Sequence, residues 1–259
     1  MIADDVIISI YEKVWAMIDV VFLPAMLNAT LLPQSQVVVF DVLRASSTIV
    51  TALSNGAREV RLLPDVDSVL HARAVVPPPV ITAGERECVK VPGFDLGNSP
   101  AEFETHRIGG ASVLLSTTNG TRAVLAAHTA AELFIGSLLN AQATAEALQP
   151  QLDHLHTLLL LSGTDGQLAQ EDVIGAGAVL WHILGGTYRI DLPYTDAAWM
   201  AYHCFAAVRE RLGAALRLGA GGVNLIESGF EEDIDLCAKL NSRPLAVRVR
   251  KDPLRCMTS

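Results

Sequence analysis

The sequence predicts an α/β fold: three layers, α/β/α, around a largely parallel sheet, with a second α/β subdomain left open beyond Asp165. Short apolar runs alternate with segments of helical periodicity through most of the chain. That is the pattern of parallel strands joined by right-handed helical crossovers. Several of these runs end abruptly in acids, bases and hydroxyls, as strands do where an α/β enzyme presents chemistry at their carboxyl ends. The sharpest such joint is Phe40-Asp41-Val42-Leu43-Arg44-Ala45-Ser46-Ser47-Thr48. Ser116-Thr117-Thr118-Asn119-Gly120-Thr121-Arg122 and Ser162-Gly163-Thr164-Asp165-Gly166 repeat the arrangement.

The first 18 residues carry Ile8, Tyr11, Val14, Trp15 and Ile18 at helical spacing and read as an amphipathic extension. Asp19 to Pro24 is a short strand and Val37 to Val42 a buried one. Ser46 to Asn55 follows as a helix closed by Gly56. Glu59 to Leu63 is the next strand. The helix after it, Val66 to Val75, is stopped by Pro77, Pro78 and Pro79, because proline lacks an amide donor and restricts the residue before it. Val80 to Ala83 makes a strand ending at Gly84-Glu85-Arg86, and Lys90 to Pro100 is a glycine- and proline-punctuated loop. Strands are expected at Val113 to Thr117, Leu133 to Ile135 and Leu155 to Leu161, separated by helices over Thr121 to Ala131 and Ala141 to Leu148. Beyond Asp165, helices over Asp172 to Leu184, Asp196 to Leu216 and Glu231 to Leu240 precede a strand at Leu245 to Arg250. The resulting division is the extension, one catalytic domain over residues 19–251, and a C-terminal tail over 252–259.

Twenty-eight acids against nineteen bases give a formal charge of −9, with no basic stripe, which argues against a nucleic-acid partner. The same acidity is unfavourable for a highly anionic ligand, so local arginines or a metal would have to reverse the field. No run approaches the ~20 apolar residues of a membrane span. Asp4, Asp5 and Glu12 stand where a signal peptide is basic, so no membrane partner and a cytoplasmic location are expected. Cys88, Cys204, Cys237 and Cys256 are dispersed and form no CxxC pair or disulfide framework. A homodimer using the N-terminal apolar stripe is one reading of that stripe; an intramolecular packing face is the other.

At the first joint, Asp41 offers a magnesium ligand or a general base, and Arg44 a planar fork for a phosphate or sulfonate. Ser46, Ser47 or Thr48 would cap the following helix, whose free amides also attract an anion. The competing reading is a structural Asp41–Arg44 pair with an N-cap. Thr117 to Arg122 supplies hydroxyls, an amide and a cation around a glycine, but lacks the P-loop pattern and is equally an ordinary Asn-Gly turn. Glu85 and Arg86 close another strand, and Asn98 sits on a constrained loop. Glu171 and Asp172 open a helix, where they would serve either a metal or the helix dipole. The histidines show no zinc spacing, and no Gly-x-Ser-x-Gly elbow is present.

Taken in order, Asp41-Val42-Leu43-Arg44-Ala45-Ser46-Ser47, Gly84-Glu85-Arg86, Pro92 to Pro100, Thr117 to Arg122, Gly163-Thr164-Asp165-Gly166 and Glu171 to Gly177 resemble the 2-phosphosulfolactate phosphatase family over roughly nine-tenths of the chain. That resemblance implies Mg²⁺-dependent hydrolysis of (R)-2-phospho-3-sulfolactate, a small anionic organophosphate, to 3-sulfolactate and phosphate on the way to coenzyme M. It places Asp41, Glu85 and Asp172 in catalysis, and draws the metal's ligands from Asp41, Glu85, Glu171 and Asp172. Arg44, Ser46, Ser47, Arg86, Asn98, Thr118 and Asn119 would bind substrate. The alternatives are a phosphatase for another phosphorylated hydroxyacid and a noncatalytic anion-binding protein. The chain departs from the family's pattern at Glu87-Cys88, where small residues are usual. It departs again at Gly219-Ala220-Gly221-Gly222, where a serine and a histidine are missing.

Overall fold

The computed structural model describes residues 16–185 and 193–259. Residues 1–15 of the amphipathic extension, and with them most of the stripe offered for a dimer, lie outside the described residues.

Among the described residues ten strands form one sheet: β1 (Ile18–Val21), β2 (Ser35–Phe40), β3 (Glu59–Leu62), β4 (Val80–Arg86), β5 (Val89–Lys90), β6 (Ser112–Ser116), β7 (Glu132–Gly136), β8 (His156–Leu161), β9 (Val247–Lys251) and β10 (Leu254–Thr258). Their spatial order is β1-β8-β2-β7-β9-β10-β3-β6-β4-β5. β1, β8, β2 and β7 make one parallel block, and β3, β6 and β4 another. The antiparallel hairpin β9–β10 stitches the blocks together, β9 against β7 and β10 against β3. The blocks therefore run in opposite senses. A twist of about 20–25° per strand accumulates to roughly 100–125° over the five steps from β2 to β6, which swings the carboxyl ends of both blocks toward one cleft.

The helices are α1 (Ala45–Ser54), α2 (Val66–Val75), α3 (Thr105–Ile108), α4 (Gly120–Ala126), α5 (Ala141–Leu148), α6 (Gln170–Ile183), α7 (Asp196–Val208), α8 (Leu212–Leu216), α9 (Ala220–Glu227) and α10 (Glu231–Cys237). Strand side chains alternate between faces, and the continuous apolar runs feed two cores. Val38, Phe40, Phe134, Leu159 and Leu161 pack under α5, α6 and α7. Val37, Val39, Ile135, Leu158 and Leu160 pack under α1 and α4. Such strands read as unbroken hydrophobic stretches because both sides are covered. A smaller core puts Val69 and Val76 of the α2 region over Leu114 and Phe94. The α/β class and the layering are as the sequence predicts.

Three expectations are corrected. The helix expected over Asp196 to Leu216 breaks at a 3₁₀ turn, Arg209–Arg211, where Arg211 has φ −144° and ψ 42°. A straight helix of that length would run about 30 Å; the bend instead returns Leu212 and Leu216 to the core that holds Phe205. Residues 252–259 are not a tail. The Asp252-Pro253 dipeptide is a hairpin turn, and β10 after it lies inside the sheet with Cys256 fully buried opposite Val60 and Val249. Among the described residues no second α/β unit forms beyond Asp165, because this hairpin joins the one sheet and α6 and α7 pack on its face. Among the described residues, no helix is long and apolar enough to cross a membrane.

Helices α6 and α7 approach closely at Gly177 of α6. A Cβ added there would lie 2.1 Å from the Ala201 carbonyl oxygen and 2.7 Å from the Phe205 Cβ on α7. Gly177→Ala is expected to destabilise the protein by about 1–3 kcal/mol, as overpacking does. Urea unfolding checks this; an unchanged midpoint would contradict the contact.

Candidate active site

The cleft where the strand ends converge holds a cavity of about 400 Å³. Asp41 enters from the end of β2, Glu85 from β4, Thr117, Thr118 and Asn119 from the end of β6, and Thr164 and Asp165 from the end of β8. β2 ends at Phe40, two residues earlier than expected. Asp41 and Val42 thus leave the ladder to serve the site.

Asp41 lies between the first turns of two helices. Its Oδ1 accepts from the Ala45 amide at the start of α1 (3.1 Å), and its carboxylate also accepts from the Gly120 amide at the start of α4. Its own amide donates to Ser46 Oγ at 2.7 Å. These amides favour the charged form, yet burial dominates, and with repulsion from Glu85 and Glu171 it lifts Asp41 from 3.8 to about 6.

Asp172 is 2% exposed and has both oxygens engaged: Oδ1 accepts from the Val42 amide (2.8 Å) and Oδ2 from the Gly163 amide (3.1 Å). Burial, then Asp41 and Glu171, push it well above the usual carboxylate range. Glu171, also 2% exposed, is raised by burial, and its Oε2 has no hydrogen-bond partner among the described residues. It fills the space that Gly221 leaves: a Cβ at Gly221 would sit 2.0 Å from Glu171 Oε1. Glu85 is bound on both oxygens, Oε1 by the Thr118 amide (2.9 Å) and hydroxyl (3.0 Å), Oε2 by the Cys88 amide (3.1 Å).

The four acids expected to share a metal are thus neighbours, but they do not converge as one ligand group. Among the described residues no three His, Cys, Asp or Glu side chains are so arranged. Glu85 and Asp172 already spend their oxygens on N–H and O–H donors. Asp41 and the unpartnered Glu171 oxygen are the acids with capacity to spare.

Arg44 lines the cavity, entered through a cis Leu43–Arg44 peptide. Arg44 does not pair with Asp41, the competing reading of this joint. Nη1 bonds Asp233 Oδ2 at 2.7 Å, Nη2 bonds the Cys88 carbonyl at 3.1 Å, and the Phe230 ring lies 4.4 Å from the guanidinium carbon. Asn98 and Asn119 line the cavity as expected, and Asn98 Oδ1 is buried without a partner among the described residues. Three expected substrate ligands are placed elsewhere. Ser46 and Ser47 are buried with their hydroxyls on the Asp41 amide and the Val42 carbonyl (2.8 Å). Arg86 is outside the lining, held by the Glu85 carbonyl at 2.6 Å and Ser116 Oγ at 3.0 Å. Hydroxyls in the first turn of a buried helix satisfy nearby backbone first.

Other functional residues escaped sequence reasoning. Asn224, Glu227 and Ser228 bring α9 and its end to the cavity, and Asp233 holds Arg44 from α10. The acidic run Glu231-Glu232-Asp233 was the one available signal. Glu87 and Cys88 also line the site, at the tip of the two-residue β4–β5 turn with φ of 52° and 65°. Turns of this kind favour Asn-Gly, which is a physical reason for small residues at this point.

Comparison with known proteins decides the family. The family model described as 2-phosphosulpholactate phosphatase matches residues 21–252. A protein of Carboxydothermus hydrogenoformans named "Probable 2-phosphosulfolactate phosphatase" is 37% identical over 224 residues, 86% of this chain and 89% of the relative. One of the same name from Pseudothermotoga lettingae is 38% identical over 224 residues, 86% and 91% of the two chains. The chain belongs to the 2-phosphosulfolactate phosphatase family. Members of this family are phosphoric monoester hydrolases, and the chain is an enzyme of that class.

In this family member the Asp41 shift has a sign that can be measured. Its folded value, about 6, lies above its ordinary 3.8. The stability it contributes is therefore complete below 3.8 and lost as pH rises through about 6. Relative to Asp41→Asn, metal-free wild type is expected to lose stability steadily over that window and to level off above it. Chemical denaturation of both proteins at several pH values checks this; a pH-independent difference would contradict the buried position.

Proposed function

We propose that the chain hydrolyses (R)-2-phospho-3-sulfolactate to 3-sulfolactate and inorganic phosphate with the help of Mg²⁺. The observation that carries this reading is the floor of the cavity. Asp41 sits there beneath two helix N-termini, with Glu85, Glu171 and Asp172 near enough to act on one another electrostatically. Of these four buried or half-buried acids, Asp41 and Glu171 keep oxygen capacity that suits a divalent ion. The unpartnered Oε2 of Glu171 is an oxygen with no other task. Mg²⁺ is commonly bound by one or two carboxylates with substrate phosphate and water completing the shell, and Asp41 with Glu171 fits that form. When bound, the ion would neutralise charge on the phosphoryl oxygens.

The chain's own residues do the rest. Arg44 and the Asn98 and Asn119 amides bind anionic oxygens, while the Glu85 contact fixes the Thr118 backbone beside them. Asp41, which lines the cavity, is placed to orient an attacking water and draw a proton from it. Water's oxygen bonds to phosphorus as the bond from phosphorus to the ester oxygen breaks; the leaving oxygen takes a proton from solvent, and Asp41 returns to solvent the one it drew. The coenzyme M pathway goes with this substrate. Four free cysteines accord with a cytoplasmic site of action.

One observation favours a second substrate. The lining carries Asp41, Glu85, Glu87, Asp165 and Glu227 against Arg44, which is already paired with Asp233. That balance suits a phosphorylated hydroxyacid without a sulfonate. A phosphate-release assay over both substrates, with Mg²⁺ and with chelator, separates the readings. Asp41→Asn is expected to lower kcat by about 10²–10⁴-fold, and Arg44→Ala to raise KM by about tenfold or more. Full turnover in folded Asp41→Asn, or no metal-dependent release from any phosphorylated hydroxyacid, would sink the proposal.

A further inference from the structure

Arg44 is 4% exposed and yet faces the cavity, so its orientation depends on what stands behind it. A guanidinium carries five N–H donors in one plane. One donor on Nη1 is taken by Asp233 Oδ2 at 2.7 Å and one on Nη2 by the Cys88 carbonyl at 3.1 Å. Phe230 covers one face at 4.4 Å. Two in-plane bonds and a covered face remove the rotations by which a long side chain samples other rotamers.

Asp233 is itself immobilised. It is 3% exposed, outside the cavity lining, and its other oxygen accepts from Ser99 Oγ at 2.6 Å. Ser99 adjoins Asn98, which lines the cavity. The Ser99 bond therefore holds the carboxylate that in turn holds the arginine. We propose that Asp233 and Phe230 are positioning residues for substrate binding, holding Arg44 with its free donors turned to the anion. The assignment rests on the phosphatase reading of the cavity. It adds the segment Phe230 to Asp233, which touches no reacting atom, to the machinery.

Asp233→Asn keeps the shape and removes the charge. With 2-phosphosulfolactate it is expected to lose about 10- to 100-fold in kcat/KM, chiefly through KM, as misplaced binding groups do. Inorganic phosphate binding, measured by titration calorimetry, is expected to weaken in parallel. The deciding comparison is the cycle with Arg44→Ala. If Asp233 acts through Arg44, adding Asp233→Asn to that background changes kcat/KM by less than about twofold. An equal loss in both backgrounds would overturn the assignment. Should Asp233→Asn not fold, Phe230→Leu leaves no unpaired charge and is expected to raise KM about threefold to tenfold. Unchanged KM and phosphate affinity in that folded variant would also overturn it. A wild type that binds phosphate but never turns over phosphosulfolactate would count against the proposed activity instead, and the phosphate-binding arm would still decide on Asp233.

Discussion

The site depends on the carboxylate of Asp172 and the two backbone amides it accepts. Val42 follows β2 and Gly163 follows β8, and neither amide has a ladder partner once its strand has ended. A buried amide left unbonded costs about 1–3 kcal/mol, and one side chain from α6 satisfies both. The same pair of bonds fixes the residue before Val42, which is Asp41. A helix, two strand ends and the floor of the cavity are therefore set by one group. Burying that group beside Asp41 and Glu171 opposes its ionisation, and the amide bonds act against the penalty.

The electrostatics of the cavity follow from the same crowding. Acids gather where the strand ends meet, while Arg44 is engaged by Asp233. The glycine run at Gly219 to Gly222 belongs to this arrangement. In the fold, Gly221 and Gly219 are what allow the Glu171 carboxyl to stand where it does, since Cβ atoms there would approach it to 2.0 Å and 3.0 Å. The glycine run and the placement of this acid are two sides of one packing solution.

Periodicity made the layers legible, because buried strands such as Val37 to Phe40 and helices such as Ala141–Leu148 are governed by local pattern. The abrupt polar endings marked which strand ends would meet, and Asp41, Glu85 and Thr118 are where that reasoning puts them. What stayed hidden was long-range. Nothing in a five-residue stretch of mixed polarity after Asp252-Pro253 says that it will lie inside the sheet. Nothing local separates Ser46 and Ser47, which bond their own turn, from hydroxyls that would face a ligand. The Arg44–Asp233 pair spans most of the chain, and such tertiary pairings leave no periodic trace.

The β9–β10 hairpin has a consequence for how the protein comes to be active. It follows every other strand in the chain and is the seam between the two parallel blocks. Each block can collapse on its own helices as it emerges, but the strand ends of one cannot face those of the other until the chain beyond Ala246 has been made. Contacts of such long sequence separation are slow to form. Chains interrupted short of this point would carry two open, hydrogen-bond-hungry edges, at β7 and β3, which are templates for association with other chains. Completion of the catalytic cleft and protection from aggregation thus arrive together, in a single late closing event.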